Sequence, residues 1–122
     1  MTDRLSIAVA QINPTVGDVA GNAALVEKFA VDAAKMNADL MVATELAISG
    51  YPPEDLVLKQ AFQDRIEDAV IALAKRLQEQ NLPAVLVGAP WRVEGKLYNA
   101  ALLLDGGEVK HARLKHELPN YG

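Results

Sequence analysis

Two ionisable side chains stand where their surroundings could be turned to chemistry. Glu45 follows Thr44 and the apolar stretch at residues 39–43, which places a carboxylate just past the end of a strand, where open α/β sheets gather functional groups. Desolvation by that stretch is expected to raise its pKa and suit it to general-base work. The commoner use of such a carboxylate is a solvated strand end or a helix cap. Lys115 lies at the end of the last strand-like segment, between Leu114 and His116 and just before Leu118-Pro119. A fixed ammonium group there could stabilise a developing oxyanion, although lysine at a strand end more often solvates a surface. Tyr51 and Tyr121 each follow a turn-type residue and could present a hydroxyl to a polar substrate, although packing is tyrosine's commoner fate. Trp91, the single tryptophan, reads as a core or interface anchor.

Other chemistries find little support. The cysteine count is zero, which removes thiol nucleophiles, disulfides and cysteine metal sites from these 122 residues. His111 and His116 lack the partners of a zinc shell, so no metal site is expected. Gly17 and Gly21 do not have the spacing of a dinucleotide fingerprint, and no Gly-x-x-x-x-Gly-Lys phosphate loop occurs.

The elements that must position Glu45 and Lys115 follow from periodicity. Residues 5–12 form an apolar, β-branched run that ends at Asn13-Pro14, a buried strand followed by a loop. Asn22 is placed as the cap of a helix running to Met36, with Leu25, Phe29, Ala33 and Met36 on one face and Asn37 as its terminator. Residues 39–43 form a second buried strand. Residues 46–53 are irregular, because Gly50, Pro52 and Pro53 break any period, and residues 54–59 form a short helix. The clearest helix covers residues 62–80, with Phe62, Ile66, Ala69, Val70, Leu73 and Leu77 on one face. A third strand at 84–88 is followed by a hairpin, with strands 91–93 and 97–104 around the turn Glu94-Gly95-Lys96. A second hairpin turns at Asp105-Gly106-Gly107 into a strand at 108–114. This order predicts a layered α/β fold with a mixed sheet.

Composition sets the broad class. At 51% hydrophobic and 23% charged residues, the chain is globular rather than disordered. A net charge of −4 leaves no basic stripe to neutralise phosphates, so no nucleic-acid partner is expected. No signal-peptide pattern opens the chain, and its apolar runs fall short of the roughly 20 residues that span a bilayer. A cytoplasmic protein with no membrane contact is expected. The chain reaches Gly122 without an element that closes the sheet, and is read as interrupted.

Four segments in order resemble the nitrilase superfamily of carbon–nitrogen hydrolases: IAVAQINPTVGDVAGN, ATELAISGYPPEDL, VLVGAP with LYNAALLLDGGEV, and LKHELPNYG. The GYPPED and LPNYG stretches resemble its branch of glutaminase domains in glutamine-dependent NAD synthetases, and the resemblance covers almost the whole chain. It implies that residues 1–122 are the N-terminal part of an α-β-β-α sandwich with mixed sheets, the rest of that domain and a C-terminal synthetase domain lying outside. It assigns Glu45 as general base, Lys115 as oxyanion stabiliser, and Tyr121, with Tyr51, as substrate-binding residues. The nucleophilic cysteine falls outside the chain, which alone is expected to be inactive.

The resemblance further implies glutamine as substrate, with ATP, magnesium and deamido-NAD used at the synthetase domain. No cofactor is implied for the present residues, and Ser49-Gly50 continues to Tyr51 rather than into a Ser-Gly-Gly ATP loop. It also implies a homo-oligomer, and uncovered strand edges predict self-association. Two alternatives stand beside it. One is another carbon–nitrogen hydrolase of ω-amidase or carbamoylase type, which would not need the GYPPED and LPNYG stretches. The other is a non-catalytic binding or assembly module that keeps the scaffold.

Overall fold

Among the described residues, two helices alternate with the first three strands, and a meander of long strands completes the sheet. The computed structural model describes residues 4–50 and 59–118. The order is β1 (Ile7–Val9), α1 (Val19–Lys35), β2 (Leu40–Val42), α2 (Gln60–Glu79), β3 (Ala84–Val93), β4 (Lys96–Asp105) and β5 (Glu108–Glu117). All five strands form one sheet in chain order. The pairs β1–β2 and β2–β3 are parallel, and β3–β4 and β4–β5 are antiparallel. The expected mixed sheet follows from the connections: parallel neighbours need a crossover long enough for a helix, whereas a tight turn returns the chain antiparallel. Both hairpin turns have two residues, one fewer than expected. Glu94-Gly95 and Gly106-Gly107 hold positive φ at both central positions, the type I′ geometry that matches strand twist.

Both helices end in the same way. After α1, Asn37 adopts φ 57°, its N–H donates to Ala34 O, and Ala38 N–H donates to Ala33 O. After α2, Asn81 adopts φ 55°, with the matching pair Asn81 to Gln78 and Leu82 to Leu77. These are Schellman caps with asparagine in the left-handed position, so Asn37 terminates its helix as expected. The start of α1 differs from expectation. Asp18 is the cap, its carboxylate accepting from Gly21 N–H at 3.0 Å, and Asn22 lies a turn further in, with its side chain used elsewhere. The buried face of α1 is therefore Val19, Asn22, Ala23, Val26, Ala30 and Ala33, and Met36 is exposed. The α2 face is as read, with Ala74 added and Ala69 partly buried. Residues 54–58 of the expected short helix lie outside the described residues, and Lys59 is extended.

The helices cover one face of the sheet. The pairs Val85–Leu104, Val87–Leu102 and Ala89–Ala100 pack there with Met41 and with Phe62, Ile66, Val70 and Leu73 of α2 in one core. On the opposite face lie the pairs Leu86–Leu103, Gly88–Ala101 and Pro90–Asn99. Strand β1 is not the buried strand expected: it lies at the sheet edge, and Ile7 and Val9 are exposed. Strand β3 runs unbroken through Pro90, which sits beyond the three residues of β3 paired to β2, a stretch where edge-strand proline is tolerated. Among the described residues no helix is long and apolar enough to cross a membrane.

Candidate active site

Three segments meet on the open face: the loop after β2, the first half of β4 and the last residues of β5. Glu45 lies in the loop. Ala43 N–H donates to Leu86 O at 2.8 Å, and Ile48 N–H donates to Gly88 O at 3.2 Å, so the loop is tied to β3 on both sides of the carboxylate. Between these ties Leu46 is buried at φ 50°. That backbone is costly for an L-residue and persists only where surrounding contacts over-determine it. Asn22 supplies such contacts from α1: it exchanges two 2.8 Å hydrogen bonds with the backbone of Thr15 and donates to Ile48 O at 3.0 Å. A polar residue on a helix face thus serves as a latch between two loops.

Lys115 reaches Glu45 because β5 is irregular. Asn99 of β4 is opposite His116, whereas Ala100 is opposite Leu114, so Lys115 is the extra residue of a β-bulge. Bulges re-aim side chains beside functional sites. The strand does not stop at Leu114, as its periodicity implied, but continues to Glu117. The Lys115 ammonium donates to Oε1 of Glu45. Asn99 Nδ2 donates to the same oxygen at 3.0 Å. Among the described residues nothing donates to Oε2.

These contacts reverse the expected electrostatics. The Lys115 ammonium first, and the Asn99 amide second, hold the Glu45 carboxyl below its ordinary value, outweighing desolvation, with a smaller contribution from His116. The apolar stretch before Glu45 does not bury it: the side chain is 42% exposed, so the desolvation expected to raise its pKa is weak. Glu45 is therefore ionised at neutral pH and ready to accept a proton. A cleft of about 130 Å³ runs beside it, lined in part by Thr44, Glu45, Gly88, Asn99, Ala101 and Lys115.

Two polar atoms of the cleft's lining residues lack partners among the described residues, Thr44 Oγ1 and Asn99 Oδ1. An unmet buried acceptor costs about 1–3 kcal/mol. The histidines stay apart, His116 beside Asn99 and His111 beside Leu103, and no three potential ligands converge as a metal site among the described residues. Trp91 packs against the core. Tyr51 and Tyr121 lie outside the described residues. Sequence reasoning missed Asn99, Asn22 and Gly88. A buried Asn within the apolar LYNAALLL segment was the signal for the first.

Residues 6–120 match the family described as carbon-nitrogen hydrolase. The chain belongs to the carbon-nitrogen hydrolase family. Among relatives of that family, it is 37% identical to a glutamine-dependent NAD(+) synthetase of Synechocystis sp., over 95% of this chain and 22% of that protein. It is 40% identical to the synthetase of Rhodobacter capsulatus, over 98% of this chain and 21% of that protein. The chain therefore spans about a fifth of the length of these relatives. The structure of the glutamine-dependent NAD+ synthetase from Acinetobacter baumannii superposes with a TM-score of 0.81 at 35% identity, covering 95% of this chain and 22% of that one. An amidase from Nesterenkonia sp. shares the carbon-nitrogen hydrolase fold, with a TM-score of 0.75 at 22% identity over 95% of this chain and 44% of the amidase.

Proposed function

We propose that this chain is the leading part of a glutaminase domain that supplies ammonia for the amidation of deamido-NAD. The observation that carries the reading is the Glu45–Lys115 pair, joined across 70 residues of sequence by a loop tie and a bulge. The kinship to glutamine-dependent NAD synthetases supplies the substrate class.

In this reading the nucleophile is a cysteine outside these residues. Its thiol proton passes to Glu45 as the sulfur attacks the side-chain carbonyl carbon of glutamine. The oxyanion that forms is stabilised by the Lys115 ammonium, which exchanges Glu45 for the new negative charge. Losing that partner makes Glu45 more basic at the moment it holds a proton. Glu45 then delivers the proton to the departing nitrogen, the C–N bond breaks, and ammonia leaves a thioester. Glu45 next takes a proton from water, whose oxygen attacks the thioester, and returns it to the released thiolate. The products are glutamate and ammonia. Tyr121 and Tyr51 contact the glutamine. ATP and magnesium act at a separate synthetase domain, and no step above passes through them. The assembly is a cytoplasmic homo-oligomer.

The test uses this sequence extended to the full length of its relatives. Glu45→Gln is expected to abolish glutamine-supported NAD formation and leave ammonia-supported formation intact. Equal loss of both refutes the assignment.

A further inference from the structure

We propose that Asn99 is a positioning residue that holds Oε1 of Glu45 and so leaves Oε2 as the oxygen that moves protons. The inference rests on the reading of Glu45 as the base. Asn99 and Lys115 both donate to Oε1, but they are held very differently. The Lys115 side chain is 46% exposed and ends a long flexible stem, so it is free to change partner when an oxyanion forms. Asn99 is 2% exposed, lies within β4 between Pro90 of β3 and His116 of β5, and has only two side-chain torsions. It cannot follow Lys115. When the lysine turns to substrate, the Asn99 amide remains on Oε1 and keeps the carboxylate from rotating.

A packing role does not account for this residue. Its Oδ1 is buried without a partner among the described residues, a destabilising arrangement that a leucine, branched at the same carbon but without polar atoms, would avoid. The amide costs stability where it sits, and its one hydrogen bond to a described residue goes to Glu45. The bulge that re-aims Lys115 begins at Asn99, so one irregularity brings both donors to one oxygen. Among the described residues, the charged and titratable groups facing Glu45 are Lys115 and His116, both on β5. The facing positions on β3 and β4, Gly88 and Ala101, carry none.

The experiment compares Asn99→Leu with Asn99→Ala, which removes the donor without placing a new charge beside Glu45. In the 122-residue chain, the Glu45 carboxyl carbon is titrated by NMR and thermal stability is recorded. In the full-length protein, kcat and KM for glutamine are measured beside Glu45→Gln. Expected are a rise in the Glu45 midpoint in both variants, a melting temperature for Asn99→Leu at or above the parent, and a fall in kcat of about 10²-fold with KM little changed. If both variants leave the midpoint and kcat at parental values, Asn99 does not position Glu45. Should Asn99→Leu fail to fold, Asn99→Ala decides alone. If Glu45→Gln itself retains glutaminase activity, the base assignment falls. If Glu45→Gln is inactive while the Asn99 variants are normal, only this inference falls.

Discussion

Gly88 and Leu46 approach so closely that a side-chain carbon on the glycine would lie 2.3 Å from the Leu46 amide nitrogen, and 2.9 Å from the Glu45 α-carbon. No real Cβ tolerates such contacts, so the loop bearing Glu45 rests directly on bare backbone of β3. The same glycine accepts the Ile48 hydrogen bond, and it thereby sets both the height of the loop and its anchorage.

Gly88→Ala is therefore expected to displace Glu45 rather than merely fill space. Overpacking against backbone costs about 1–3 kcal/mol, which lowers the melting temperature by several degrees. The Lys115–Glu45 contact should weaken at the same time. Calorimetry and the Glu45 carboxyl signal check the two parts; parental values for both would mean that the loop does not rest on β3 as described.

The depressed Glu45 pKa carries a sign for stability. A carboxylate that ionises more readily when folded contributes its full stabilisation above its ordinary value of 4.5 and loses it as pH falls through the folded-state value. Glu27, held low by Arg76 and Gln80, acts in the same direction. Stability should decline as pH drops below about 4.5, and Lys115→Met should make the decline shallower by removing the largest cause at Glu45. Because this pair is well exposed, solvent screening keeps the difference small. Melting temperatures measured from pH 6 to 3 provide the check, and an unchanged slope in Lys115→Met would remove Lys115 as the cause.

Asn22→Ala removes three hydrogen bonds that join the residue 15 loop to the loop bearing Glu45, and leaves backbone groups at Thr15 and Ile48 without those partners. The cost should reach about 2–4 kcal/mol, since buried polar groups lose their partners together. Amide exchange of residues 44–50 should accelerate more than that of α2. A uniform change across the chain would show that Asn22 supports global stability and not this loop in particular.

Much of the scaffold was determined by local sequence. The apolar period of α2, the asparagine that ends α1 and the glycines of the two hairpin turns each act within a few residues, so periodicity and backbone preference identify them without a partner. The position of Glu45 past a strand end was legible for the same reason. The site itself was decided by tertiary structure. Lys115 meets Glu45 only because a bulge shifts β5 against β4, and pairing register cannot be read from one strand. Nothing local assigns Asn99 a role within its apolar strand, and only the fold brings its amide to a carboxylate from a distant loop. Gly88 ended an apparent strand in the sequence, whereas in the fold it is the floor beneath Glu45. The pKa of Glu45 turned in the opposite direction to the local reading, because charge and hydrogen-bond partners brought close in space outweigh the apolar character of neighbours in sequence.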